Sequence, residues 1–255
     1  MKKIRIGLLG FGKTGKLVAN EFIKDEGFSL SWVIRKTSSD DHKYASRVLG
    51  YKYNSGKLFS PEELDADFSK KNPVDALVDF SSSDGVKLYS TVVAEGIPIV
   101  TAISNYEEDS MELLRNIAEK SPVIYSPNIT LGINVLMVAA QILQKIVPHA
   151  DIEIVEEHFK AKSEISGTAK KIANVLDLTP ETHINSIRVG GIVGRHEIIF
   201  GLPNQTIRLS HESISRAAFG QGAIFATKAI IGQQPGMYSM ENIVAEMFRN
   251  NIPVY

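Results

Sequence analysis

KIRIGLLGFGKTGKLVANEFIK, residues 3–24, is the stretch whose reading decides the fold. Apart from Lys3 and Arg5, Lys3–Leu9 is apolar, as a strand buried on both faces requires. Thr14–Lys24 repeats its apolar residues at helical spacing. Between them GFGKTG, residues 10–15, forms a G-x-G-x-x-G loop. In this pattern Gly10 permits a tight turn, Gly12 lets backbone approach a pyrophosphate, and Gly15 lets helix and strand pack closely. The phosphate then sits on the helix N-terminus, where free N–H groups and the macrodipole favour it. Strand, loop and helix together predict a dinucleotide site built from Gly10, Phe11, Gly12, Lys13, Thr14 and Gly15.

The second strand, Leu30–Ile34, ends SWVIRKTSS. A site for NAD carries Asp or Glu there, to bind the ribose hydroxyls. Ile34 stands at that place, followed by Arg35 and Lys36, two cations suited to a 2′-phosphate. The expected cofactor is NADPH, with NADH possible.

Strand-like runs recur at 74–80, 97–103 and 122–126, with helical stretches at 83–95 and 108–119 between them. This alternation predicts a Rossmann-type, doubly wound parallel sheet. After Pro127 the rhythm changes. A helix over 132–147 leads into DIEIVEEH, whose alternation suits a half-buried strand. A short helix starts at Ser166, and HINSIRVGGIVG, RHEIIFG and QTIRLSH follow as successive strands. The expected second domain is an α+β block with an open mixed sheet. Residues 1–127 and 218–255 are assigned to the dinucleotide domain, and 128–217 to a substrate-binding and oligomerisation domain.

The whole composition narrows the function. A chain of 255 residues, 44% hydrophobic and 22% charged, is of the soluble globular class. A net charge of −1 offers no field to recruit nucleic acid or an anionic membrane. The absence of cysteine excludes disulfides and thiolate chemistry and fits the cytoplasm. MKKIRIGLLGFG lacks the length and cleavage site of a signal peptide. ITLGINVLMVAAQILQKIV is interrupted by Asn134, Gln141, Gln144 and Lys145, so it reads as a buried helix with one wet side. His42 and His149 are expected at the surface, and His183, His196 and His211 in structural hydrogen bonds. HEIIF and HESIS lack the second histidine of a zinc helix, and no metal site is expected.

EEHFKAKSEISGTAKK, residues 156–171, gathers chemistry into a short span. His158 ends a strand and can carry a proton near neutrality. Lys162 can neutralise a carboxylate or a nitrogen developing negative charge. Ser166 is a natural cap for a helix beginning Gly167–Thr168, whose N–H groups attract an anion. The set suits a small dicarboxylate substrate.

At these residues the chain resembles the 4-hydroxy-tetrahydrodipicolinate reductase (dihydrodipicolinate reductase) family. The likeness runs through GFGKTG, DFSSSDGV (79–86), SPNITLGINVL (126–136), HFKAKSEISGTA (158–169), SIRVGGIVGRHEIIF (186–200) and SHESISRAAFGQGA (210–223). The family motif is H-H-x-x-K-x-D-x-P-S-G-T-A or the shorter H-Q-x-x-K-x-D-x-S-G-T-A, and this chain has the shorter spacing. The resemblance implies that His158 and Lys162 are catalytic, and that Ser166, Gly167 and Thr168 bind a substrate carboxylate. It places Phe159 at a substrate-binding position. It puts Ala102, Ile103 and Ser104, and Ser126, Pro127, Asn128 and Ile129, beside the cofactor. It further implies NAD(P)H-dependent reduction in the lysine and diaminopimelate route, by a homotetramer joined through its substrate-domain sheets.

Four residues depart from the pattern. Ile103 and Asn105 replace a threonine and a glycine, Phe159 replaces a second His or Gln, and Glu164 replaces Asp. The lost polar contacts keep two other readings open: reduction of a different amino-acid-derived imine, and a weakly catalytic NADPH-binding sensor.

Overall fold

The computed structural model describes residues 2–36 and 43–253, so His42 lies outside the described residues. The chain divides into two compact units. The first holds the chain up to Thr130 together with Phe219–Ile243, and the second holds Leu131–Ala218 and the chain from Val244 onward. The sequence pattern assigns all of 218–255 to the first. The last helix explains the difference, because Met240 and Ile243 join the first unit's core, while Met247, one turn on, is 42% exposed.

Strands are numbered in chain order through both units. The first unit contains β1 (Ile4–Leu9), β2 (Phe28–Ile34), β3 (Lys57–Phe59), β4 (Ala76–Asp79), β5 (Ile99–Thr101), β6 (Pro122–Tyr125) and β11 (Gly236–Tyr238). They pair in the order β11-β6-β5-β4-β1-β2-β3, every pair parallel. This is the Rossmann-type sheet expected. β1 is apolar because helices cover both faces: Ile6 and Leu8 lie in one buried cluster and Leu9 in the other. Of the longer helices, α1 (Lys13–Lys24) gives Val18, Ala19 and Phe22 to the first cluster, and α2 (Glu108–Ala118) gives Leu114 and Ala118 to the second. Burying each Phe or Leu of this kind is worth about 1.5–3 kcal/mol. The strand order reverses between β1 and β4, which places a ligand crevice beyond their C-terminal ends.

β3 and β11 were not anticipated. Each is a three-residue strand at an edge of the sheet, too short to show periodicity. The helix expected over 83–95 is instead a 3-10 turn, Ser83–Leu88, followed by a single α-helical turn, Tyr89–Val92.

The second unit contains α3 (Leu131–Ile146), β7 (Asp151–His158), α4 (Gly167–Val175), β8 (Ile184–Arg188), β9 (Arg195–Leu202) and β10 (Gln205–Glu212). Its open sheet runs β10-β9-β7-β8, with β7 and β8 parallel and the other pairs antiparallel. The period of two puts Ile152 and Ile154 of β7 on one face with Ile198 and Phe200 of β9. Ile133 and Met137 of α3, with Ile172 and Ala173 of α4, complete that core. Toward the C-terminal end of β7 the same face turns polar. Glu156 lies opposite His196, and His196 lies opposite His211.

Two further long helices are α5 (Ala218–Ile230) and α6 (Met240–Asn251), the second of which crosses the division between units. Among the described residues, no helix is long and apolar enough to cross a membrane.

Candidate active site

In the first unit a cavity of about 840 Å³ opens at the switch point between β1 and β4. Its walls include Gly10, Phe11, Gly12, Arg35 and Lys36, all expected from the sequence. Gly10 has φ +91°, and a side chain there would meet the Phe80 carbonyl at 2.5 Å. A Cβ at Gly12 would meet nothing within 4 Å, so the loop is open on the side a pyrophosphate would occupy. Gly15 packs against the Gly10 carbonyl, 2.2 Å from where its Cβ would stand. It therefore shapes the loop from behind. Lys13 and Thr14 form the first turn of α1 and do not line the cavity.

Four cations, Lys16, Arg35, Lys36 and Lys87, line this cavity with one acid, Asp84, which pairs with Lys87 at 2.6 Å. The loop and the volume fit a dinucleotide. Lys16, Ser81, Ser82, Asp84 and Lys87 were not singled out for this role. The available signal was topological, since DFSSSD follows the strand beside β1.

That second wall rests on a buried polar network. Asp79, fully buried, accepts from the Ser81 N–H at 2.7 Å, the Ser81 hydroxyl at 2.6 Å and the Tyr89 hydroxyl at 2.7 Å. Tyr106 continues the network, 3.3 Å from the Tyr89 oxygen and 2.6 Å from Thr101 Oγ1. Burial pushes the Asp79 carboxyl up to about 6, against the lowering effect of Ser81 and Tyr89. Burial and the Asp79 charge push Tyr106 up to about 12.

Ala102, Ile103 and Ser104 follow β5, and Ser126, Pro127, Asn128 and Ile129 follow β6. In this parallel sheet both groups fall on the C-terminal edge, beyond β4 from the cavity, whose walls do not include them. The Ile103 side chain is buried in the core with Tyr106 and Leu114 and does not line the cavity. Ser126 is buried and donates to the Asn128 carbonyl at 3.0 Å, while Ile129 belongs to the core.

In the second unit His158 ends β7 and is 8% exposed. Its Nδ1 lies 2.5 Å from Glu156 Oε2. Glu156 is fully buried and is also bound by both terminal nitrogens of Arg188, at 2.8 and 2.5 Å, and by the Ser186 hydroxyl at 2.7 Å. The Ser166 N–H donates to it at 3.3 Å. Burial alone would raise this carboxyl; Arg188, Ser186, His158 and Ser166 outweigh it and hold the group at about 2. Ser166 caps α4 as expected, accepting from the Ala169 N–H at 3.4 Å. Its hydroxyl also meets His196 Nε2 at 3.0 Å.

Phe159 and Lys162 lie in the turn between β7 and α4, both half-buried, and the Lys162 N–H donates to the Phe159 carbonyl at 3.0 Å. Arg188 fixes that turn, donating from Nε to the Lys162 carbonyl at 2.9 Å and from Nη2 to the Glu164 carbonyl at 2.8 Å. Gly167 is exposed at the helix start, with open space at its Cα, and Thr168 follows in the first turn. His158, Lys162, Ser166, Gly167 and Thr168 thus share one end of the sheet's inner face. A proton carrier, a cation and a helix N-terminus there can receive a carboxylate next to a group being protonated.

Glu156, Arg188 and His196 join this cluster unannounced. Arg188 and His196 come from β8 and β9, so only strand pairing brings them to His158. His196 was expected in structural hydrogen bonding; its ring packs edge-on to His158, with centroids 5.4 Å apart. Burial and the neighbouring His158 push it down to about 4. His211 lies against Gly132 at the start of α3, and burial lowers it too. His149 is exposed, and His183 bonds to Thr182 and the Thr179 carbonyl. Among the described residues no three His, Asp or Glu are grouped as a metal ion would need.

Comparison with known proteins agrees with both units. Residues 4–129 match the model for the N-terminus of dihydrodipicolinate reductase, and residues 132–244 match that for its C-terminus. A 4-hydroxy-tetrahydrodipicolinate reductase of Thermosipho africanus (strain TCF52B) is 30% identical over 248 residues, covering 96% of this chain and 100% of that protein. That of Syntrophus aciditrophicus (strain SB) is 30% identical over 260 residues, covering 92% and 96%. Among solved structures, dipicolinate-bound dihydrodipicolinate reductase from Paenisporosarcina sp. TG-14 superposes with TM-score 0.74 at 20% identity, covering 95% of this chain and 100% of that one. An amine dehydrogenase from Mycobacterium smegmatis gives 0.62 at 12% identity, covering 94% and 96%, a likeness of fold. With both halves matched and relatives at 30% identity spanning nearly its whole length, the chain belongs to the dihydrodipicolinate reductase family.

Proposed function

We propose that this chain reduces 4-hydroxy-tetrahydrodipicolinate to tetrahydrodipicolinate in lysine and diaminopimelate biosynthesis, with NADPH preferred to NADH. The observation that carries the reading is the polar end of the second sheet, where His158 and Lys162 stand beside the Ser166-capped start of α4. The nearly full-length relatives bear the name of this reductase.

The reaction adds a hydride and a proton across a C=N bond after loss of water. When bound, NADPH supplies the hydride. Gly10 and Gly12 would receive its pyrophosphate at the N-terminus of α1, and Arg35 and Lys36 would hold the 2′-phosphate. The N–H groups of Gly167 and Thr168 bind one substrate carboxylate, with the dipole of the nine-residue α4 behind them. Lys162 offsets negative charge developing at the ring nitrogen, and His158 supplies the proton. The protein acts as a cytoplasmic homotetramer joined through second-unit sheets; Ile187 and Val189, 44% and 51% exposed at and just beyond the end of β8, offer apolar surface for that joint.

A different amino-acid-derived imine is favoured only by Phe159, because Ile103 is turned into the core. The test is a rate comparison with substrate made freshly from pyruvate and aspartate semialdehyde by the preceding synthase. Turnover of this substrate is expected, with kcat/KM for NADPH exceeding that for NADH by about tenfold or more, the worth of one hydrogen bond to a charged group. Turnover confined to other imines would overturn the substrate. NADH equal to NADPH would overturn the cofactor preference.

A further inference from the structure

We propose that Glu156 is the positioning residue for His158: it holds the ring through Nδ1 and leaves Nε2 as the one nitrogen whose proton comes and goes. The inference rests on the reading that His158 supplies the proton.

The hydrogen-bond inventory of Glu156 carries it. Oε2 faces His158 Nδ1 at 2.5 Å and Arg188 Nη1 at 2.8 Å. Oε1 accepts from Arg188 Nη2 at 2.5 Å, the Ser186 hydroxyl at 2.7 Å and the Ser166 N–H at 3.3 Å. Every non-imidazole partner is a donor, so the group is used as a carboxylate, which can only accept. Its pKa of about 2 agrees. Nδ1 must therefore donate whether the ring is neutral or charged. The neutral ring carries its proton on Nδ1 and a lone pair on Nε2, and the charged ring differs by a proton on Nε2 alone.

Gly194 keeps that nitrogen clear. A Cβ at this position would stand 3.0 Å from Nε2, so a side chain there would press on it. The same Glu156–Arg188 pair also fixes the other members of the site. Arg188 holds the carbonyls of Lys162 and Glu164, and Glu156 holds the N–H of Ser166. Arg188 thus fixes the lysine turn, while the carboxylate itself fixes the ring and receives the helix start through one N–H, a bond that the amide oxygen of a glutamine can keep. A buried ion pair is a weak source of stability, because desolvation offsets its attraction, whereas it fixes geometry well.

The first test needs no substrate. In ¹⁵N–¹H multiple-bond spectra of the wild-type protein, neutral His158 is expected to show a protonated Nδ1 and an unprotonated Nε2. The opposite tautomer would overturn the proposal. In kinetics, Glu156→Gln is expected to lower kcat by about a hundredfold with KM for substrate and NADPH held within about twofold. In a His158→Ala background the same substitution should change kcat by less than about twofold, because the ring it positions is gone. An equal loss in both backgrounds would mean a general structural role and overturn the proposal. Should Glu156→Gln fail to fold, Gly194→Ala replaces it: kcat should fall while the Nδ1–H tautomer persists, and an unchanged kcat would count against the proposal. Absence of turnover in the wild type would instead sink the proposed substrate, and the ring tautomer would then decide the role of Glu156 by itself.

Discussion

Gly10 and Gly12 belong to one motif but meet different surroundings, and single substitutions separate them. Gly10→Ala puts a side chain at φ +91° and against a backbone carbonyl, so it should destabilise the fold by more than about 1 kcal/mol, seen as a lower denaturation midpoint. Gly12→Ala meets open space and should cost about 0.5–1 kcal/mol as a helix N-cap, while weakening NADPH binding at least about tenfold in a titration. His196 gives a prediction with a sign. Its folded pKa of about 4 lies below the ordinary 6.5, so its contribution to stability is full above pH 6.5 and is lost as pH falls through 4. The shift corresponds to about 3 kcal/mol. Asp79 runs the other way: its folded value of about 6 exceeds 3.8, so its contribution is present below 3.8 and lost as pH rises through 6. The His196 effect is therefore read as a difference: in denaturant titrations, His196→Gln should lose less stability than wild type between about pH 6.5 and pH 4. At this scale the sequence announced His158, Lys162 and the Ser166–Thr168 start through close spacing. Alternation puts Glu156 on the face of Ile152 and Ile154, but it could not announce Glu156 as the anchor of His158, because its partners Ser186 and Arg188 come from β8 and meet it only through strand pairing.

Elements were legible where one physical rule governed them. β1, the glycine loop and α1 follow from a continuous apolar run meeting a 3.6-residue period. β7 follows from strict alternation, and its burial does alternate. The edge strands β3 and β11 were not legible, since three residues pairing along one side carry no period. Nor was the 3-10 turn at Ser83–Leu88: there Gly85 packs against Asp79 and Ser81, a tertiary demand that overrides the helical pattern. The start of α4 shows how an element's end becomes part of a site. Ser166 caps the helix, meets His196 and gives its N–H to Glu156. Ser166→Ala should cost about 1 kcal/mol in thermal or chemical denaturation and raise KM for the substrate more than it lowers kcat. Retained KM would mean that the helix start does not hold a carboxylate.

Over the whole molecule, two units divide the work by chemistry. The first presents glycines, an open loop and cations to a dinucleotide. The second presents a sheet face that is apolar for most of its length and polar at one end. Trp32, the chain's one tryptophan, is buried in the first unit with its indole N–H on the Asn72 carbonyl, so its fluorescence reports that unit. NADPH at a hundred times its Kd should raise the stability read from Trp32 by about 2.7 kcal/mol. The measurement that bears most directly on the account is NADPH oxidation with freshly made 4-hydroxy-tetrahydrodipicolinate, run on wild type, His158→Ala and Lys162→Ala beside NADPH binding by the same proteins. The account predicts turnover in the wild type and a loss of kcat of about a hundredfold or more in each variant, with NADPH affinity unchanged. Turnover that survives both substitutions would contradict it.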